Sequence, residues 1–103
     1  MSRHRDAFED FAEKAEMELG DSLEKLVLYG SVARGEEHDE SDVDVFAVVE
    51  DKEDKEVLED LAFDVSVEHG VFMVPLIKTS DEFREKRGSI FLREVEDSGE
   101  TYV

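Results

Sequence analysis

Two aspartates and a glycine–serine pair are where the side chains of this sequence could do chemistry. Asp42 and Asp44 open the apolar run Val43, Val45, Phe46, Ala47, Val48 and Val49, and Gly30-Ser31 follow directly on another, Leu26-Val27-Leu28-Tyr29. On a strand, alternate side chains share a face, so both carboxylates point one way, about 6–7 Å apart along the chain, while Val43 points into a core. Two short, rigid acids at that spacing can share one or two hard cations. Mg2+ is the cation held by one or two carboxylates together with substrate phosphates. Gly30 lets backbone N–H groups approach an anion closely, and a helical turn beginning at Ser31 adds its positive end and a hydroxyl. Arg34 is the only Lys or Arg between residues 29 and 49. It is placed either to donate bidentately to a phosphate or to pair with Glu36, Glu37 or Asp39. The stretch therefore sets a phosphate cradle beside a magnesium platform. The plainer reading is a Gly-Ser turn joining two ordinary strands, with surface aspartates that happen to alternate.

The elements that must position these residues follow from periodicity. Phe8, Phe11, Ala12, Ala15 and Leu19 recur at helical spacing over 3–19, with Gly20 to stop the helix. His4, at its start, is expected to be an isolated, exposed residue without a role. A strand over 24–29 leads into the Gly-Ser turn, a charged loop over 36–40 carries His38, and a second strand covers 42–49. His38 reads either as a solvated loop histidine or as a metal ligand without a second histidine near it in sequence. Val57, Leu58, Leu61, Ala62 and Val65 predict a helix over about 54–69 ended by Gly70. Val71 to Ile77 is uniformly apolar and predicts a third strand buried on both faces, although Pro75 points to a bulge or an edge position. Thr79 or Ser80 before Asp81, Glu82 and Phe83 predicts a capped short helix. A last helix is expected over 89–96, burying Ile90, Phe91, Leu92 and Val95. Gly99 ends it, and residues 101–103 could add an edge strand. This order predicts an α/β (α+β) domain spanning 1–103, a small mixed β-sheet with helices packed mainly on one face.

The chain has 103 residues, no cysteine, and thirty acidic against twelve basic residues, for a net charge of -18. The missing cysteines exclude disulfides and thiolate metal sites and suit a reducing cytosol. The longest apolar run is too short to span a membrane, so a soluble, cytoplasmic protein is expected. Acidity spread over the whole chain, with ordinary apolar content, predicts a folded halophilic domain, because molar salt shortens the Debye length to ~3 Å and removes the self-repulsion. With no Lys/Arg cluster to release counterions, binding to a long nucleic acid is not expected.

The spacing Gly30-Ser31, ten residues, Asp42-Val43-Asp44, supported by Ala33-Arg34-Gly35 and Ser41, resembles the signature of minimal nucleotidyltransferases of the DNA polymerase β-like superfamily. That resemblance implies the nucleotidyltransferase fold. It implies that Gly30, Ser31 and the adjacent backbone hold a triphosphate and that Asp42 and Asp44 hold magnesium ions during transfer of a nucleotide, AMP from ATP, to a hydroxyl. A chain of this length leaves no room for a separate acceptor-binding domain, so the acceptor is expected on a partner protein. The resemblance further implies a HEPN-type toxin as that partner, with this chain as the antitoxin of a toxin–antitoxin module.

The family's third carboxylate, from a later strand beside the motif strand, has no counterpart in Val71-Phe72-Met73-Val74-Pro75-Leu76-Ile77. The nearest acids, Asp64 and Glu68, fall on the preceding helix. Two functions stay open: a magnesium-dependent adenylyltransferase, or a catalytically lapsed module that binds a nucleotide or a partner. Neither the acceptor nor the base of the nucleotide is readable from these residues.

Overall fold

In a computed structural model of the protein, residues 2–86 and 90–103 are described. The first helix, α1 (Arg3–Leu19), starts where the Ser2 hydroxyl accepts a hydrogen bond from the Arg5 backbone N–H at 3.0 Å, and it ends in a short 3-10 turn over Gly20–Ser22. Next come β1 (Leu23–Tyr29), the single turn α2 (Gly30–Ala33), β2 (Asp42–Val49) and α3 (Lys52–His69). The chain then forms β3 (Phe72–Thr79), α4 (Ser80–Lys86), α5 (Ile90–Ser98) and β4 (Glu100–Thr101). The four strands pair in the order β3-β2-β1-β4. The tight α2 link makes β1 and β2 antiparallel, whereas the α3 crossover makes β2 and β3 parallel.

The odd residues of β2, Val43, Val45, Ala47 and Val49, join Leu26 and Leu28 of β1 in a core closed by Phe8, Phe11, Ala12 and Ala15 of α1 and Leu58, Ala62 and Val65 of α3. The even residues Phe46 and Val48, with Val27 of β1, face the other way and are covered by Leu92 and Val95 of α5, with Phe83 of α4 packed alongside. The two long helices thus occupy one face and the short ones cover part of the other. Among the described residues nothing covers that second face at its far end, where Asp42 and Asp44 stand. No helix among the described residues is long and apolar enough to cross a membrane.

Three expectations change. The helix α3 begins at Lys52 because Asp51 and Asp54 form a reciprocal capping box. His4 is buried, not exposed: it falls on the same stripe as Ala7, Phe8 and Phe11. And β3 is not buried on both faces. It is an edge strand, as Pro75 suggested, with Phe72 exposed at 72% and Val74 at 39% beyond the reach of α4 and α5. Ser89 and the side chains of Ile90 and Phe91 lie outside the described residues.

Candidate active site

The turn expected to cradle phosphate forms because β1 runs out at Tyr29 and the chain reverses at Gly30, whose φ of +78° belongs to the left-handed region that favours glycine. Val32, fully buried, pins the turn to the core. The Arg34 N–H donates to the Gly30 carbonyl at 3.3 Å and the Glu36 N–H to the Ser31 carbonyl at 2.9 Å, which returns the chain toward β2. Just before Asp42, the His38 N–H donates to the Ser41 hydroxyl at 2.8 Å and the Ser41 N–H to the His38 carbonyl at 2.9 Å. Ser41 and His38 are thus spent on locking the loop that delivers Asp42. His38 is exposed and its ring accepts from the Glu40 N–H at 3.3 Å, as a solvated loop histidine does.

Asp42 is exposed and Asp44 is half-buried, on the same face of β2. Gly30 and Asp44 touch: a Cβ built on Gly30 would lie 2.3 Å from Asp44 Oδ2. The Gly30 turn and the two carboxylates therefore share one wall. Burial pushes the Asp44 carboxyl above its ordinary value, the Asp42 charge pushes the same way, and Arg34 pulls against them. Among the described residues neither aspartate has an ion-pair partner, since Arg34 Nε donates to Glu36 Oε1 at 2.5 Å on the exposed rim. Two uncompensated carboxylates on one face, one of them partly desolvated, are a donor set that suits a hard divalent cation.

Tyr29 closes the apolar run that leads into the turn. It lies directly opposite Asp44 in the β1–β2 ladder, and its phenol is pushed up by burial and then by the Asp44 charge. The strand pairing that brings the two together is invisible in a linear sequence.

The strand on which the resemblance would place a third carboxylate is apolar beside the aspartates. In the parallel β2–β3 register Asp42 faces Phe72, Asp44 faces Val74 and Phe46 faces Leu76. Asp64 and Glu68 cannot substitute, because α3 packs on the opposite face of the sheet. Glu68 is instead part of a group with Asp10 and His69 that could in principle hold an ion. There the Lys14 ammonium bridges Asp10 at 3.1 Å and Glu68 at 3.1 Å, while His69 Nε2 lies 2.9 Å from Asp10 Oδ2. The cluster ties α1 to α3.

Comparison with known proteins gives a consistent picture. A family model described as a nucleotidyltransferase domain matches residues 4–97. A protein of Methanocaldococcus jannaschii provisionally named protein adenylyltransferase MJ0141 is 32% identical over 85 residues, spanning 79% of this chain and 80% of that protein. A second, MJ0604, provisionally given the same activity, is 27% identical over 93 residues, spanning 90% of this chain and 91% of its own length. Among solved structures, a toxin–antitoxin crystallised with AMP-PNP superposes with a TM-score of 0.65 at 19% identity, covering 90% of this chain and 70% of the other. A mutant of the toxin–antitoxin MntA-HpeT superposes with a TM-score of 0.65 at 18% identity, covering 92% and 71%. At these identities the structural likeness establishes the shared fold.

Proposed function

The chain belongs to the nucleotidyltransferase domain family, and from that premise we propose that it is a magnesium-dependent adenylyltransferase that moves AMP from ATP to a hydroxyl of a partner protein. The observation that carries the proposal is the contact between Gly30 and Asp44, which puts a phosphate-binding turn against a metal-binding carboxylate. Backbone N–H groups at the turn and the Ser31 hydroxyl bind the triphosphate. Arg34 exchanges its exposed partner Glu36 for a phosphate oxygen, a bidentate contact stronger than a solvated surface pair. Asp42 and Asp44, on one face of β2, would hold Mg2+. When bound, the metal supplies charge neutralisation at the leaving group and lowers the pKa of the acceptor hydroxyl. In the transfer, an oxygen–phosphorus bond forms from the acceptor hydroxyl to the α-phosphorus, the bridging bond to the β-phosphate breaks, and pyrophosphate leaves. The hydroxyl proton passes to a carboxylate or to water.

The biological setting we infer is a toxin–antitoxin module in which a HEPN-type toxin is the acceptor and this chain the antitoxin. Support comes from the relatives bearing a protein adenylyltransferase name and from toxin–antitoxin structures with the same fold. A cytoplasmic, high-salt setting accounts for the charge of -18.

A second reading is favoured by Val74 opposite Asp44, where a third carboxylate would complete the metal pair. On that reading the chain binds magnesium–ATP or its partner without turnover. The deciding experiment is incubation with magnesium, α-labelled ATP and the protein encoded beside it, in high potassium chloride, followed by intact mass. One added AMP on the partner, absent with Asp42→Ala/Asp44→Ala, supports the transferase. No adduct from a protein that binds magnesium–ATP and its partner supports the second reading.

A further inference from the structure

The free edge of the sheet, beside α3, carries a groove of about 350 Å³ whose wall includes Ala62, Phe63, Val67, Phe72 and Met73. Phe63, Val67 and Phe72 are 68%, 68% and 72% exposed, an unusual concentration of large apolar side chains at one edge of a domain in which 41% of residues are charged. We propose that this groove is the docking surface for the protein that presents the acceptor hydroxyl, and that it takes an apolar side chain of that protein flanked by Lys or Arg. The inference rests on the transferase reading above and adds the partner's route of approach.

Two observations choose the occupant. The first is continuity with the site. Phe72 lines the groove and is the strand neighbour of Asp42, so the groove, whose α3 wall lies on the other face of the sheet, meets the β3 edge at the end where the aspartates stand. Sheet order makes that the correct side. The phosphate cradle lies at the β1 side of Asp42 and Asp44 and β3 lies at the other. In-line displacement brings the nucleophile from the side opposite the departing pyrophosphate, which is the β3 side.

The second is charge. Between Lys55 and His69 the helix α3 carries no Lys or Arg, and its exposed residues around Phe63 are Glu59, Asp60 and Asp64. A second copy of this chain would bring the same acids into contact at separations shorter than even the Debye length of molar salt, where screening does not help. A partner with an apolar anchor and a basic rim is complementary on both counts.

The test is titration calorimetry of the partner encoded beside the gene against this chain in high potassium chloride, with ATP binding measured separately. Phe63→Asp/Val67→Asp, at positions already facing solvent, is expected to weaken partner binding by roughly tenfold or more while magnesium–ATP affinity and thermal midpoint are unchanged. Phe72→Ala should weaken it in the same direction. Met17→Asp, an equally exposed apolar residue of α1 outside the groove, should leave it unchanged. Equal partner affinity in the double variant, absence of any complex with the wild-type chain, or a homodimer that the double variant dissociates would each overturn the proposal. Binding is read without turnover, so a complex that depends on the groove yet yields no AMP adduct refutes the transferase reading alone.

Discussion

Gly30 and Asp44 occupy one another's space: the left-handed turn at Gly30 is closed against Asp44 Oδ2 so tightly that a methyl group at residue 30 would sit 2.3 Å from that oxygen. The two residues are far apart in sequence and belong to different elements, and the antiparallel pairing of Tyr29 with Asp44 is what brings them together. On the proposed reading, a phosphate site and a metal site that share this wall cannot be adjusted separately.

Gly30→Ala should therefore harm both. The φ of +78° alone costs a non-glycine residue about 1–3 kcal/mol. The clash adds a displacement of the Asp44 carboxylate. We expect a lower thermal midpoint together with loss of magnesium-dependent ATP binding. A variant that binds magnesium–ATP normally would show that Gly30 and Asp44 do not form one site.

Asp44→Asn should raise the thermal midpoint of the metal-free protein near neutral pH. The sign follows from the raised carboxyl: its folded pKa lies above the ordinary 3.8, so above that value the folded state carries a charge it disfavours, and the amide removes the penalty. If Asp44 holds magnesium as proposed, the same raised pKa should make the affinity fall with pH over a range higher than an ordinary aspartate would set. Adding magnesium is expected to stabilise the wild type and to leave the variant unchanged. Thermal melts with and without magnesium decide the matter, and a lower midpoint for the metal-free variant would contradict this account of Asp44.

Much of this was legible in the sequence because local rules and tertiary structure agreed. Alternation put Asp42 and Asp44 on one face, helical spacing gave the core side of α1 and α3, and Pro75 marked the edge. The failures have a common physical source. An uninterrupted apolar run reads alike whether neighbouring helices cover it or stop short, so exposed Phe72 and Val74 were read as core. His4 sits on the same helical stripe as Ala7, Phe8 and Phe11, a signal that its polarity masked. Tyr29 beside Asp44 depends on strand register, which no window of local sequence contains.

Salt should govern stability. With a net charge of -18, raising potassium chloride from about 0.1 M to 1 M shortens the Debye length from ~10 Å to ~3 Å and relieves self-repulsion. The thermal midpoint should climb steadily across that range. A midpoint that is flat or falls with salt would remove the halophilic explanation of the composition.

Acid should remove a specific contribution at the start of α4. The Thr79 N–H donates to Glu82 Oε1 at 2.8 Å and the Glu82 N–H to Thr79 Oγ1 at 3.3 Å, a reciprocal cap reinforced by Lys55 at 3.0 Å. The Thr79 backbone N–H first, and Lys55 next, pull the Glu82 carboxyl down from 4.5 to about 2. A depressed carboxyl contributes above its unfolded value and loses that contribution as pH falls toward its folded value. The difference in midpoint between wild type and Glu82→Gln should hence be constant above pH 4.5 and shrink between there and about 2. A difference independent of pH would assign the cap to hydrogen bonding alone.

Val74→Asp places a carboxylate on the strand neighbour of Asp44, on the open face, at a position 39% exposed. A third acid beside two others adds repulsion, so the metal-free variant should melt below the wild type, and magnesium should restore more stability than it does in the parent. If the wild-type chain turns over slowly for want of that ligand, transfer of AMP should rise toward the ~10²–10⁴ that a positioned base contributes. Calorimetric magnesium affinity is the first readout, because it responds even where chemistry does not. Unchanged affinity would mean that a carboxylate at residue 74 does not reach the cation, and that any completing ligand comes from elsewhere, including the docked partner.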